Sequence, residues 1–206
     1  DIRGRSPGMA RCSCSVAYIL PTICKSQNKM EEIDTARMTQ SQIYIETDPT
    51  ALFFNGFSLV IRRSATINKH AIIGIGIYKV DLPDFYIEAL ESNAGKDWKA
   101  GNLGIDLFAD YFFFDPNKGL SLGVILSLYN YNISRLGEKE SYQSFVETLR
   151  MGYLWRPIKK FESLYLYPWV GISTGQNLSG SNEIAGESFT LKKWNFVPAF
   201  QFGYSF

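Results

Sequence analysis

Apolar and polar residues alternate with a period of two along most of the chain from Gln42 onward. This alternation predicts β-strands, because successive side chains of a strand point to opposite faces of a sheet. Polar stretches rich in turn-forming residues separate the alternating segments. We therefore predict eight strands, at residues 42–47, 51–63, 69–80, 101–114, 119–134, 141–156, 163–175 and 190–206.

The connections between the predicted strands are of two kinds, which alternate along the chain. Consecutive strands are expected to be antiparallel, so the two kinds lie at opposite ends of the strand set. Transmembrane β-barrels of bacteria have this asymmetry, with short periplasmic turns and longer outer loops. The short turns are predicted at 64–68, 115–119 and 157–162, and the mostly longer, polar connections at 47–50, 81–100, 135–141 and 176–188.

The two faces of the predicted strands differ in side-chain size. One face carries Leu, Ile, Val and aromatic residues, whereas the other collects Gly, Ser, Tyr and scattered charges. An eight-stranded barrel has a lumen just wide enough for side chains, so small residues must alternate with large ones inside it. The bulky face is too continuous for the lumen of a soluble, lipocalin-type barrel, and we expect it to face lipid. The inward glycines would be Gly56, Gly74, Gly76, Gly104, Gly123, Gly152, Gly171 and Gly203.

Composition supports a membrane barrel rather than a nucleic-acid-binding protein. The chain of 206 residues has 21 Lys and Arg against 20 Asp and Glu, so no net field favours nucleic acid. Aromatic residues make up 15% of the chain. No run of about 18 apolar residues occurs, which excludes a transmembrane helix in the sequence and leaves a closed β-barrel as the structure that could span a membrane.

The last predicted strand, WNFVPAFQFGYSF, has an aromatic residue or proline at every even position. Residues 42–206 resemble the small eight-stranded outer-membrane β-barrels of the OmpX and OmpW type, in which alternate aromatics end in a C-terminal Phe. The resemblance implies a bacterial outer-membrane location, surrounding lipid and lipopolysaccharide, and recognition by the barrel-assembly machinery. The assembly signal would comprise Phe200, Phe202, Tyr204 and Phe206. Trp155 and Trp194 fit the two interfacial aromatic girdles.

The N-terminal extension at residues 1–38 is a separate segment that we exclude from the barrel. Its moderately apolar stretch faintly resembles a secretion-signal remnant, and we expect it to be disordered or removed. Cys12, Cys14 and Cys24 all fall within it. A C-x-C pair with one distant cysteine lacks metal-site spacing, and the chain has a single histidine. We therefore expect no metal and no cofactor.

Five charged residues share the parity of the inward glycines. A charge buried without an opposite partner costs several kcal/mol, so we predict that these residues form an ion network inside the lumen. A charged constriction in a narrow pore is the functional alternative. The predicted network consists of Glu46, Arg62, Asp106, Asp110 and Arg150.

Three functions remain open from the sequence. The first is a non-enzymatic monomeric barrel with a largely side-chain-filled lumen, whose structural, adhesive or defensive role is carried by its outer loops. The second is a narrow, OmpW-like passage for small apolar molecules, and the third is a lipid A-modifying enzyme. For the third, His70 is the only histidine, and it is predicted at the inner end, away from the outer leaflet. Pro168 and Pro198 lie inside predicted strands, where we expect local bulges.

Overall fold

The computed structural model describes residues 42–206, apart from 89–90 and 116–117. The predicted N-terminal extension and its three cysteines lie outside the described residues. The wall strands are β1 (Ile43–Thr47), β2 (Phe57–Ser64), β3 (Ala71–Leu82), β4 (Lys99–Phe112), β5 (Gly119–Arg135), β6 (Glu138–Leu154), β7 (Leu164–Gly180) and β10 (Trp194–Ser205). These eight antiparallel strands close into a barrel in the order β1-β10-β7-β6-β5-β4-β3-β2. The predicted eight-stranded antiparallel barrel is thereby confirmed.

The remaining elements lie in the connections. They are the helices α1 (Thr50–Phe53) and α2 (Asp84–Glu88), a 3₁₀ turn at Lys159–Phe161, and the short strands β8 (Glu183–Ile184) and β9 (Glu187–Ser188), which pair with each other. Among the residues that the structure describes, no helix is long and apolar enough to cross a membrane.

The exterior of the barrel carries the predicted apolar side chains. Leu107, Leu149 and Ile172, for example, are each more than half exposed, although they lie in the middle of long strands. Their neighbours along each strand point inward and are buried. An apolar band around the outside of a closed barrel matches the hydrocarbon of a membrane, since paired strands satisfy each other's backbone groups within the wall.

The second strand begins later than predicted. Residues 51–56, expected as strand, instead hold α1 and the turn that follows it. Pro49 precedes the helix with helical torsion angles, and the amide of Ala51 donates to the carbonyl of Asp48 at 3.2 Å. Asn55, at φ 50°, then turns the chain into β2. As a result β1 is only five residues long.

The predicted outer loop at 135–141 is a tight hairpin. Strands β5 and β6 stay paired as far as Arg135 and Glu138, which leaves two residues in the turn. Leu136 and Gly137 both have positive φ, at 52° and 87°, as a type I′ hairpin turn requires. The loop prediction was wrong because residues 138–141 are polar on both faces. They lie at the outer tip of the hairpin, where both faces meet water.

The two prolines do not produce bulges, so that prediction was wrong. The register of β7 against β10 is constant past both residues. Leu166 and Trp155 exchange backbone hydrogen bonds of 2.8 Å, so even-numbered residues of β7 direct their backbone toward β6. Pro168 therefore lacks a donor on that side, and the ladder between β6 and β7 is interrupted there without a shift. The β6–β7 register shifts instead between Gln143 and Ser144, nearer the outer end.

Candidate functional site

A four-residue ion network crosses the inner half of the lumen. Asp110 is its centre: Arg150 donates to both carboxylate oxygens, from Nε at 2.9 Å and from a terminal nitrogen at 2.7 Å. Arg62 also donates to Asp110, at 2.7 Å, and forms a second ion pair with Glu46. All four side chains have no exposed surface. Two carboxylates and two guanidinium groups balance, so the network is electrically neutral.

Tyrosine hydroxyls and aromatic rings complete the surroundings of the network. Tyr165 donates to Glu46 at 2.6 Å, and Tyr167 lies 3.4 Å from Asp110 and 2.7 Å from the Ser121 hydroxyl. The guanidinium of Arg62 lies over the Tyr167 ring at 4.9 Å, and that of Arg150 over the Phe108 ring at 4.9 Å. Such contacts with hydroxyls and ring faces lower the free energy cost of burying charge.

Asp106 is the one predicted member that the structure does not bring into the ion pairs. Its side chain is buried and faces the lumen, four residues (two repeats of the pleat) farther out along β4 than Asp110. Its carboxylate accepts a hydrogen bond of 2.9 Å from the Tyr129 hydroxyl. The sequence could place all five residues on one face, but it could not show which of them reach each other.

Below the network, the inner end of the lumen is packed with apolar and aromatic side chains. This cluster is almost fully buried, and the ring of Tyr44 meets that of Tyr165 edge to face at 5.9 Å. Together with the ion network, it leaves the inner half of the lumen filled. Its members are Tyr44, Ile72, Phe112, Leu154, Tyr165 and Tyr167.

The outer half of the lumen holds a cavity of about 670 Å³, which we call the outer cavity. The predicted filling of the lumen by side chains therefore applies to the inner half, and the outer half is partly open. The wall formed by β4 to β7 supplies most of the hydroxyls and amides, while the residues from β3 and β10 are mainly apolar. Residues that border it include Tyr78, Leu82, Phe85, Asn102, Asp106, Tyr129, Tyr131, Trp169, Val197 and Ala199.

Two outer connections pack into a single structure above the β4–β6 side, which we call the outer cap. It consists of residues 83–88, 91–98 and 181–193. The Asn93 side chain donates to the carbonyl of Thr190 at 2.8 Å and accepts from its amide at 3.2 Å. Lys96 forms an ion pair of 2.6 Å with Glu187, and the Trp98 and Phe189 rings meet at 5.5 Å. The hydrogen bond and the charge of Lys96 lower the pKa of the Glu187 carboxyl.

Sequence reasoning missed the outer cap, because its contacts join residues about 90 or more positions apart. One local signal was available. The segment Ile184-Ala185-Gly186-Glu187 has a glycine suited to a tight turn, and Ala185 and Gly186 adopt positive φ of 50° and 74° between β8 and β9. That hairpin carries both Ile184, which is buried in the cap, and Glu187.

The wall of the barrel is incomplete beside β10. Pairing between β1 and β10 begins at Tyr44 with Ser205 and ends at Thr47 with Phe202. Strand β10 continues outward to Trp194, paired only with β7. In the described part of the chain, no strand pairs with the other flank of residues 194–201. We call this gap, between residues 194–201 and residues 48–54, the seam.

The predicted aromatic residues lie on the outside of the barrel. Trp155 follows β6 at the inner end, Trp194 begins β10 at the outer end, and both are more than half exposed. The rings of Tyr204 and Phe206 meet at 4.7 Å near the inner end. The side chains proposed as the assembly signal all point outward, namely Phe200, Phe202, Tyr204 and Phe206.

His70 lies at the inner turn between β2 and β3, as predicted. Its Nδ1 lies 2.7 Å from the carbonyl oxygen of Phe112, and its ring stacks on Tyr111 at 5.8 Å. These contacts anchor the turn. Across the described residues, no group of three or more His, Cys, Asp or Glu side chains could hold a metal ion.

No protein-family model matches the chain, and no curated protein is detectably similar to it. Among solved structures, the chain is similar to a major outer membrane protein from Thermus thermophilus, with a TM-score of 0.49 and 15% identity over 81% of this chain and 100% of that one. It is also similar to Neisserial surface protein A, with a TM-score of 0.40 and 14% identity over 80% and 92% of the two chains. The fold described here, a closed eight-stranded barrel with an apolar exterior, is that of an outer-membrane β-barrel, as predicted.

Proposed function

We propose that the protein is a non-enzymatic β-barrel of the bacterial outer membrane that passes no ions and acts through its outer end. The observation that carries this proposal is the network of Glu46, Arg62, Asp110 and Arg150, which spans the lumen with no exposed side-chain surface. A neutral, hydrogen-bonded network leaves no hydrated path for an ion to follow. The packed inner cluster below it closes the same half of the lumen.

The outer end is where a structural, adhesive or defensive role would be carried. The outer cap has its own buried core, formed by Ile87, Trp98, Ile184 and Phe189 together with lumen residues. Hydrogen bonds from Asn93 hold the two connections together. A loop surface ordered in this way suits recognition, since little conformational entropy remains to be lost on binding.

Passage of small apolar molecules is the second candidate, and the outer cavity is the observation that favours it. A molecule could enter this cavity from outside without disturbing the ion network. To reach the periplasmic end, however, it would have to separate Arg150 from Asp110, which share two hydrogen bonds. We therefore favour binding at the outer end over transfer across the membrane.

Conductance in planar bilayers tests the proposal. We expect no steady current from the native protein at neutral pH. Asp110→Ala combined with Arg150→Ala removes one charge of each sign and should allow ion flow. The control is Lys139→Ala, which removes an exposed charge at the outer hairpin and should remain silent. A steady native current whose ion selectivity changes in Arg150→Ala would make the lumen a pathway and contradict the proposal.

A further inference from the structure

The outer cavity opens sideways through the seam. Val197 and Ala199 point into the lumen and border the outer cavity, as expected for the inner face of β10. Phe196 and Pro198 point outward, yet they border the same cavity. The paired strands β5, β6 and β7 border the cavity only through alternate, inward-facing residues, whereas β10 borders it through the consecutive residues 195–199. The cavity therefore reaches the free edge of β10, and that edge is the seam.

The opposite flank of the seam is formed by the connection that contains α1. Thr50 and Phe54 border the outer cavity from this side. The nearby carboxylate of Asp48 is occupied locally, because it accepts hydrogen bonds from the amide and hydroxyl of Thr50 at 2.8 and 2.5 Å. The cavity residues on the two flanks of the seam are therefore mainly apolar, among them Phe54, Phe196 and Pro198.

The free edge of β10 is poorly suited to pairing with another strand. The amide of Phe206 donates to Ile43 at 2.9 Å, so even-numbered residues of β10 direct their backbone toward the β1 side. Pro198 is one of these residues and has no N–H to donate. A proline on an exposed edge interrupts strand addition. This position also explains how β10 tolerates a proline without a bulge.

The outer end of the seam favours an anionic head group. Lys192 and Lys193 are exposed, precede Trp194 directly and border the outer cavity. By the same parity as Phe206, the amide of Trp194 faces the seam at this end. Two cations beside a backbone donor suit an anionic, oxygen-bearing head group, and the apolar side chains along the rest of the seam suit a hydrocarbon chain.

We propose that the seam admits one fatty-acid-type molecule, a single-chain anionic amphiphile, from the outer leaflet. Its carboxylate lies at Lys192 and Lys193, and its hydrocarbon chain lies in the seam and along the apolar side of the outer cavity. The cavity of about 670 Å³ is of the size that holds one small ligand, ~300–1,000 Å³. Asp106, deeper in the cavity, keeps the anionic head near the mouth. This inference rests on the proposed membrane location and closed inner end.

Quenching of Trp169 fluorescence tests this proposal. Trp169 borders the outer cavity, and the other three tryptophans can be replaced by Phe so that it alone reports. In lipid bilayers, dibrominated stearic acid should quench Trp169 saturably. Dibrominated phosphatidylglycerol, an anionic lipid with two chains, should not. Heat-modifiable gel mobility confirms that the variant is folded, and saturable binding of radiolabelled palmitate to the native protein gives a second measurement.

A matched pair of substitutions locates the binding site. Ala199→Phe fills the cavity beside the seam and should weaken palmitate binding by about tenfold or more. Ala109→Phe makes the same change on the outer face of β4, away from the seam, and should leave binding unchanged. The double variant Lys192→Gln/Lys193→Gln should bind palmitate more weakly. Its binding of hexadecanol, the uncharged alcohol with the same chain length, should be unchanged.

Four results would overturn the inference. The first is quenching of Trp169 by dibrominated stearic acid that does not saturate, and the second is equal palmitate binding by Ala199→Phe and Ala109→Phe. The third is quenching by dibrominated phosphatidylglycerol that equals quenching by dibrominated stearic acid. The fourth is a stable dimer in which Trp169 is not quenched because a second copy covers the seam. The bilayer current is measured separately. Absence of both current and quenching therefore rejects this inference alone, whereas a steady current rejects the proposed function.

Discussion

Gly123 and Asp110 lie directly opposite each other in β5 and β4, and the carboxylate of Asp110 occupies the space where a side chain at position 123 would begin. Any Cβ at this position would displace the acceptor that binds both Arg62 and Arg150. The glycine is therefore needed for the ion network, rather than for backbone flexibility in the strand.

Gly123→Ala should destabilise the barrel by roughly 1–3 kcal/mol, the usual range for forcing extra volume into a packed site. The measurement is the free energy of unfolding from a urea titration in lipid vesicles. Gly175→Ala is the control, because the nearest atom to a Cβ there is a methyl carbon of Val146 at 3.1 Å, beside the outer cavity, rather than a carboxylate of the ion network. Equal losses in the two variants would show that the contact with Asp110 is unimportant.

Arg150→Met should cost roughly 3–5 kcal/mol of unfolding free energy, because it leaves Asp110 buried with one of its two cations missing. Lys139→Met removes an exposed charge and should change the unfolding free energy by less than about 1 kcal/mol. The same urea titration provides both values. A loss below about 1 kcal/mol in Arg150→Met would mean that the network does not stabilise the barrel.

Two substitutions in the outer hairpin should act in opposite directions. Gly137→Ala forces a side chain into φ 87° and should destabilise by roughly 1–2 kcal/mol. Leu136→Asn installs the Asn-Gly pair that type I′ turns prefer, and Leu136 is largely exposed, so little packing is lost. We expect a higher urea midpoint for Leu136→Asn. Protease cleavage of the hairpin, followed by gel electrophoresis, should rank the variants in the same order.

The outer cap should loosen in acid. Lys96 lowers the pKa of Glu187 in the folded protein, so their ion pair is complete above the ordinary glutamate pKa of about 4.3 and is lost as the pH falls through the lowered value. The protection of the amides of residues 183–188 against hydrogen exchange, relative to the intrinsic exchange rate at each pH, should therefore fall in acid. Glu187→Gln should be less protected than the native protein at neutral pH, and its protection should depend less on pH. Glu183→Gln, in the same hairpin, should behave like the native protein.

Phe206 should matter for assembly. Deleting Phe206 should reduce the folded, heat-modifiable form in the outer-membrane fraction, because the resemblance assigns this residue to the assembly signal. Deleting Ser181, in the connection after β7, should have a much smaller effect. Recovery of the native protein as a soluble monomer without detergent would contradict the membrane location itself.

The sequence by itself determined the number of wall strands and the face on which each side chain lies. The side chains of a strand alternate between its two faces. Once one residue is placed on a face, as the aromatic series ending at Phe206 allows, every other side chain of that strand is assigned to the lumen or to the lipid. Glycines and charged residues occupy one set of alternate positions, and bulky apolar residues occupy the other. The first set then marks the lumen face and the second the lipid face. None of this requires knowledge of which strands meet.

Only the tertiary structure decided which inward residues touch. Arg62, Asp110 and Arg150 are 40 or more positions apart in the chain and come together through the stagger of the closed barrel, which also leaves Asp106 with Tyr129. Strand β1 ends at Thr47, where the sequence also predicted its end, and the helix that follows Pro49, with Ala51 buried, keeps it from continuing. The seam arises because the short strand β1 lies beside the long strand β10 and pairs with only part of it. Local periodicity could not reveal it, because the gap is a property of two strands that are about 150 residues apart in sequence and adjacent in the barrel.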